Sequence, residues 1–317
     1  MRKLIWVLLA ITVSFVKIQG QSYEKVYFNK NDTINYYFKV VPKESPRGLL
    51  VLLPGARGNS DWALKASKIP YIAADSGLVT ILLQHEIWLG FLREDIVSFL
   101  NQAINEVIIK YNIPKNKCVM GGFSSGGTMA LSYTELAYMD SSKTATIPRG
   151  VFGLDSPIDM TEIYNSFHST MQGFDCNGKR EKISEQTRCM DEKMTKYLGT
   201  PSENLKNYIE HSPFIFSERY NSGGRAIFLK TVPVRLYSGM KDNNIQESID
   251  DCDFYLETSP YLLSFLRSKG NQDATFKNQY DKDYNPDGGE YWRGKHEWWG
   301  FDSKECVGWI IKTINKK

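Results

Sequence analysis

Two stretches of this chain, residues 49–55 (LLVLLPG) and 78–84 (LVTILLQ), are apolar without alternation. A strand with one wet face alternates polar and apolar residues. A short unbroken apolar run is a strand buried on both faces, and the usual setting for it is a parallel sheet covered by helices on each side. The intervening text agrees. Residues 62–77 (WALKASKIPYIAADSG) read as one helix ending at Gly77. Residues 93–111 give the clearest helix, with Ile96, Phe99, Leu100, Ala103, Ile104, Val107 and Ile108 on one stripe. A short strand at 117–121 (KCVMG), a helix at 128–139 and a strand at 149–155 (RGVFGLD) continue the alternation. Strand and helix in turn predict an α/β fold with a mostly parallel central sheet.

The rhythm breaks between residues 156 and 231, a polar segment with two cysteines and no buried strand, which reads as an inserted cap. It returns with a strand at 232–239, a helix around 259–270, a weaker strand at 274–281 and a final helix at 304–316. Asp302 and Glu305 stand where a capping box would open that last helix.

With 317 residues, 42% apolar and 24% charged, the chain can bury a large core, and a net charge of +3 gives no basic surface for nucleic acid. Arg2 and Lys3 precede an apolar run over residues 4–16, followed by small Gly20. This reads as a secretory signal peptide over residues 1–20, with the mature domain over 21–317 and no membrane anchor left after cleavage; the apolar run is too short to span a bilayer. Export to the periplasm or medium makes disulfides possible for the five cysteines. Cys118 reads as a buried thiol. Of the other four, Cys176 with Cys189 closes a short polar loop and Cys252 with Cys306 follows, the alternative being that none pair.

Residues 119–131 (VMGGFSSGGTMAL) offer two chemistries. From Gly121 the spacing approaches a phosphate-binding loop, but Gly127 stands where that loop needs its lysine, so the fixed cation is missing. From Gly122 the letters are Gly122-Phe123-Ser124-Ser125-Gly126, the G-x-S-x-G of a nucleophile on a strand-to-helix turn. Such a turn needs small residues two before and two after the serine. Ser125 does not fit as nucleophile, since Phe123 would take the first glycine's place. No H-E-x-x-H or Cys/His cluster points to a metal, and no G-x-G-x-x-G follows the first strand, so no cofactor is implied.

With LLPGARG, GGFSSGG, SGMKD and GKHEWW in that order, the chain resembles the α/β-hydrolase superfamily, in particular exported bacterial serine esterases of the dienelactone-hydrolase and prolyl-oligopeptidase-like branch. The resemblance implies a triad in the order serine, acid, histidine. Ser124 is the nucleophile. Asp242, just past the strand that follows the cap, is the acid, with Asp250, Asp251, Asp253 and Asp155 as rivals. His296 is the base, being the one histidine after Asp242. His85 and His211 read as structural. The backbone N–H groups of Ala56 (or Arg57) and Ser125 would form the oxyanion hole.

Trp62, Trp88, Trp292, Trp298 and Trp299 fall near these segments. Trp62, Trp88 and Trp298 are pocket candidates, and flat apolar walls of this kind suit esters of carbohydrates or aromatic acids. Loop packing is the competing role for them. The segment 197–214 (YLGTPSENLKNYIEHSPF) is similar to the cap exit of bacterial esterases and prolyl-oligopeptidase-like domains, which keeps a serine peptidase as the alternative. A non-catalytic binding member of the fold is the rival from another class.

Overall fold

The computed structural model describes residues 17–18, 21–28, 34–55, 60–85, 90–174, 182–238, 258–278 and 298–316. The chain enters through three antiparallel strands, β1 (Lys17–Ile18), β2 (Gln21–Tyr27) and β3 (Tyr36–Val40). β4 (Gly48–Leu53) is buried at every residue. Helices α1 (Ser60–Ala66) and α2 (Ile69–Asp75) follow, then β5 (Leu78–Gln84) and the long α3 (Glu94–Tyr111). β6 (Cys118–Phe123) runs directly into α4 (Ser125–Met139), and β7 (Val151–Leu154) follows. The segment expected to be a cap holds α5 (Met160–Met171), α6 (Glu185–Leu198) and α7 (Pro201–His211). β8 (Val234–Ser238), α8 (Ser259–Ser268), β9 (Ala274–Asn278) and α9 (Ser303–Asn315) complete the described elements.

The sheet order is β1-β2-β3-β5-β4-β6-β7-β8-β9. From β5 to β9 every pairing is parallel, whereas β3 joins β5 antiparallel. β4 explains why its sequence does not alternate. Leu49, Val51 and Leu53 face one core with α3, α4 and α8, while Leu50 and Leu52 face a second core with α2 and α9. Each such side chain withdrawn from water contributes about 1.5–3 kcal/mol. The seven apolar residues of the α3 stripe all lie in the first core. Asn112, with φ 50°, turns the chain out of that helix in the left-handed conformation.

The helix expected over 62–77 is two helices. Ser67 Oγ accepts the Ile69 N–H at 3.2 Å and Pro70 sits at the start of α2, so the first helix ends and a second starts at a new angle. At α9 the Asp302 carboxylate accepts the N–H groups of Lys304 and Glu305, at 2.9 and 3.1 Å, as an N-cap should. The Glu305 carboxylate meets the Arg235 guanidinium on β8.

The anticipated disulfides are not formed, because Cys189 and Cys306 are free thiols, as is Cys118. Cys306 is sealed in the second core, where burial pushes its thiol well above the usual range and disfavours the thiolate needed for exchange. Cys118 lies in the first core and burial raises its thiol to about 12. Cys176 and Cys252 lie outside the described residues. The cap helices carry their own apolar cluster, in which Met160, Tyr164, Met194 and Tyr208 meet Phe91 from the segment after β5. None of the helices among the described residues is long and apolar enough to cross a membrane.

Candidate active site

β6 ends at Phe123 and α4 begins at Ser125, which leaves Ser124 alone to reverse the chain. Its dihedrals are φ 53° and ψ −131°, a region that side chains other than glycine seldom enter. Neighbouring chain holds it there. The Ser124 N–H donates to Leu154 O at 2.8 Å, and Ser124 O accepts the Gly127 N–H at 2.9 Å. The two flanking glycines answer a steric demand. A Cβ on Gly126 would stand 2.1 Å from Leu53 O, and one on Gly122 would stand 2.5 Å from both Leu53 O and the Gly126 carbonyl carbon. Gly127 has the same constraint from the other side, where an added Cβ would stand 1.9 Å from Ser156 Oγ. The lysine that a phosphate loop requires has no room at that position.

Ser124 thus stands at the C-terminal edge of the sheet, at the amino end of a 15-residue helix whose dipole favours negative charge there. Three other segments reach the same edge. Gly55, after β4, is close enough that an added Cβ would lie 3.1 Å from the Ser124 Cβ. Gly90, with φ 75°, presses on Ser125 in the same way at 2.9 Å. Asp155 ends β7 with φ 44° and accepts a hydrogen bond from Ser238 Oγ at 2.8 Å. Its own N–H donates to Tyr237 O at 2.9 Å. Ser124, Asp155 and Ser238 are therefore successive strand ends on one rim.

The elbow is also supported from beneath. Trp298 is buried and its ring lies 5.4 Å from that of Phe123, with Phe301 at 6.3 Å from the same ring. Trp298 thus lies in the second core under the Ser124 turn. Trp62, by contrast, is 45% exposed on α1, which packs beside the 298–300 turn.

No family model and no curated protein matches this sequence. Solved structures do match its shape. An S-formylglutathione hydrolase from Agrobacterium tumefaciens aligns with a TM-score of 0.55 at 10% identity, over 95% of this chain and 99% of that one. Esterase B from Lactobacillus rhamnosis aligns at 0.57 and 11% identity, over 94% and 86%. The fluorophosphonate-binding serine hydrolase F of Staphylococcus aureus aligns at 0.54 and 13% identity, over 93% and 99%. The chain has the α/β-hydrolase fold.

Of the site residues expected from the sequence, Ser124, Ser125, Trp62 and Trp298 are placed as above. Ala56, Arg57, Trp88, Asp242, Asp250, Asp251, Asp253, Trp292 and His296 lie outside the described residues. His85 packs against Phe99 with ring centroids 5.3 Å apart. His211 Nδ1 lies 2.8 Å from Asn207 O at the end of α7, and its ring meets Phe91 at 5.4 Å. Within the α/β-hydrolase fold, Ser238 is a rim residue that the sequence does not announce. The available signal is a hydroxyl closing an otherwise apolar strand.

Proposed function

We propose that this chain is an exported serine hydrolase that cleaves carboxylic esters through an acyl-serine intermediate. The observation that carries the reading is the backbone of Ser124. Holding a non-glycine residue in such a region costs on the order of 1–3 kcal/mol, and it persists where function needs the side chain displayed. Here the strain falls on a hydroxyl-bearing residue, 7% exposed, at the sheet edge and the amino end of α4.

In the proposed reaction His296 takes the proton from Ser124 Oγ as that oxygen attacks the ester carbonyl. The negative oxygen that develops is met by the N–H groups of Ser125 and Ala56. Collapse of the tetrahedral species breaks the bond to the alcohol, which leaves with the proton held by His296. Water then repeats the sequence on the acyl-serine and frees the acid. Asp242 holds the histidine tautomer and offsets the imidazolium charge.

Chain connectivity supports the assignment. Ala56 follows Gly55, which touches the elbow. His296 is two positions before Trp298 in the chain, a reach of at most about 7 Å, and Trp298 packs on the residue before Ser124. Asp242 is four positions along the chain from Ser238, which ends β8 on that rim. A second reading places the acid at Asp155, because it stands at the end of the strand that pairs with the one leading to Ser124, and its φ of 44° is left-handed. The substrate class proposed is an ester of a carbohydrate or aromatic acid, with Trp62, exposed on α1, and Trp88 as pocket walls.

Labelling with a fluorophosphonate tests the chemistry. The wild type should be labelled and Ser124→Ala should not, with hydrolysis of p-nitrophenyl acetate falling roughly 10⁴-fold. Labelling that survives the substitution would sink the reading. Asp242→Asn and Asp155→Asn, compared side by side, decide which carboxylate serves the histidine. A preference for feruloyl sugars over long-chain esters supports the substrate class, and cleavage of peptide amides alone would favour the peptidase. Export predicts a secreted product whose first residue is Gln21.

A further inference from the structure

Between β5 and α3, consecutive residues touch different parts of the molecule. Gly90, with φ 75°, lies against the first residue of α4. A Cβ added to it would stand 2.9 Å from the Ser125 Cβ, 3.1 Å from its Cα and 3.3 Å from its carbonyl oxygen. Phe91, the next residue, is buried in the cluster carried by α5, α6 and α7. Leu92 packs on the first core. Arg93, at the start of α3, donates from Nε to the Asp95 carboxylate at 3.0 Å.

The Phe91 ring is gripped from two helices. The Tyr197 ring on α6 lies 6.1 Å from it at 60°, and the His211 ring on α7 lies 5.4 Å from it at 86°. Edge-to-face contacts at these separations are favourable beyond the apolar area that they bury. Both partners are themselves anchored. His211 Nδ1 donates to Asn207 O at 2.8 Å, and the Arg93 guanidinium carbon lies 5.8 Å from the Tyr197 ring centroid.

Ser125 needs such support. As the first residue of α4 it has an N–H without an intrahelical acceptor. That leaves the N–H available to a developing oxyanion, but it also leaves its direction unset by the helix's own bonds. The Ser125 hydroxyl is buried and has no hydrogen-bond partner among the described residues. Packing therefore aims this residue, and Gly90 is the neighbour pressed on its side chain. An oxyanion donor acts only when it points to where charge develops.

We propose that Phe91 is a positioning residue through which α6 and α7 hold the Ser125 N–H in line, so that turnover depends on their grip on that ring. The proposal rests on the hydrolase reading above. Comparing ester with thionoester hydrolysis tests it on the full chain. Sulfur accepts hydrogen bonds weakly, so a well-aimed oxyanion hole favours p-nitrophenyl acetate over its thiono analogue, and a misaimed one favours it less. Rates are taken per site titrated with a fluorophosphonate. A variant that merely loses folded protein loses titratable sites and keeps its turnover per site.

Phe91→Ala should lose about tenfold or more in kcat per site with KM within about twofold, and its ester preference should shrink in parallel. Phe91→Met refills the cluster with a flexible apolar chain and should restore most of both. If Phe91→Ala does not fold, Tyr197→Ala serves. It removes one clamp from a half-exposed position and should move both quantities the same way, by roughly threefold. Unchanged kcat per site in the folded variant overturns the proposal. So does a fall in kcat that leaves the ester preference as in the wild type. A wild type that neither takes the label nor hydrolyses p-nitrophenyl acetate removes the hydrolase reading and the coupling with it. A labelled, active wild type whose Phe91 and Tyr197 variants match it removes the coupling alone.

Discussion

Gly126 is what allows Ser124 its conformation. With Leu53 O only 2.1 Å from a prospective Cβ, the first turn of α4 lies directly against the end of β4, and the contact is with backbone that cannot swing aside. Gly126→Ala should therefore destabilise the fold by about 3 kcal/mol, at the upper end for added bulk in a packed interior. It should also reduce fluorophosphonate labelling in whatever protein remains folded. Thermal melts beside the labelling assay check both. Gly122 faces a similar constraint, so its alanine variant should behave alike. The serine itself is legible in the sequence because these steric demands are local: strand, bend and helix start all fall within six residues. Asp155 and Ser238 are harder to read. They are 83 residues apart, and their hydrogen bond exists only because β7 and β8 are neighbours.

At the scale of elements, α4 ties the elbow to the cap exit. Glu135, completely buried on that helix, has the Arg225 guanidinium nitrogen at 3.8 Å. Arg225 in turn donates to Glu210 O at 2.9 Å and to Ser132 O at 3.3 Å. Burial holds the Glu135 carboxyl well above its ordinary value of 4.5, with Arg225 pulling the other way. An acid raised in this way binds its proton more tightly folded than unfolded. The stability it contributes is present below pH 4.5 and is lost as pH rises toward the folded value. Glu135→Gln has no proton to lose, so its stability should vary less with pH across that window. At neutral pH it should match or exceed the wild type, as measured by urea unfolding at several pH values. A variant that loses stability uniformly at every pH would show instead that the ion pair with Arg225 dominates. The same scale explains why residues 62–77 read as one helix and fold as two. The apolar stripe runs through Ser67 and Lys68, but a hydroxyl contact and Pro70 stop the backbone, and hydrophobic spacing carries no trace of either.

The whole molecule consists of two cores on opposite faces of one sheet and a third cluster in the cap. β4 to β7 are buried almost throughout, whereas α5, α6 and α7 bury few residues each. Amide exchange should accordingly be slowest in the central strands and measurably faster in the cap helices, since local opening there exposes less apolar surface. Equal protection in both would mean that cap and sheet open as one unit. What the sequence determined by itself follows from periodicity and local sterics. Unalternated runs specify strands buried on both faces, the α3 stripe specifies its inward side, and the glycine spacing specifies a serine on a bend. Only the tertiary structure decided which of these meet. It brought Trp298 under Phe123, left Cys189 and Cys306 unpaired, joined Asp155 to Ser238, and set Gly90 against Ser125. Those outcomes depend on strand order, and strand order is set by the balance of packing over the whole chain, which no short window of sequence contains.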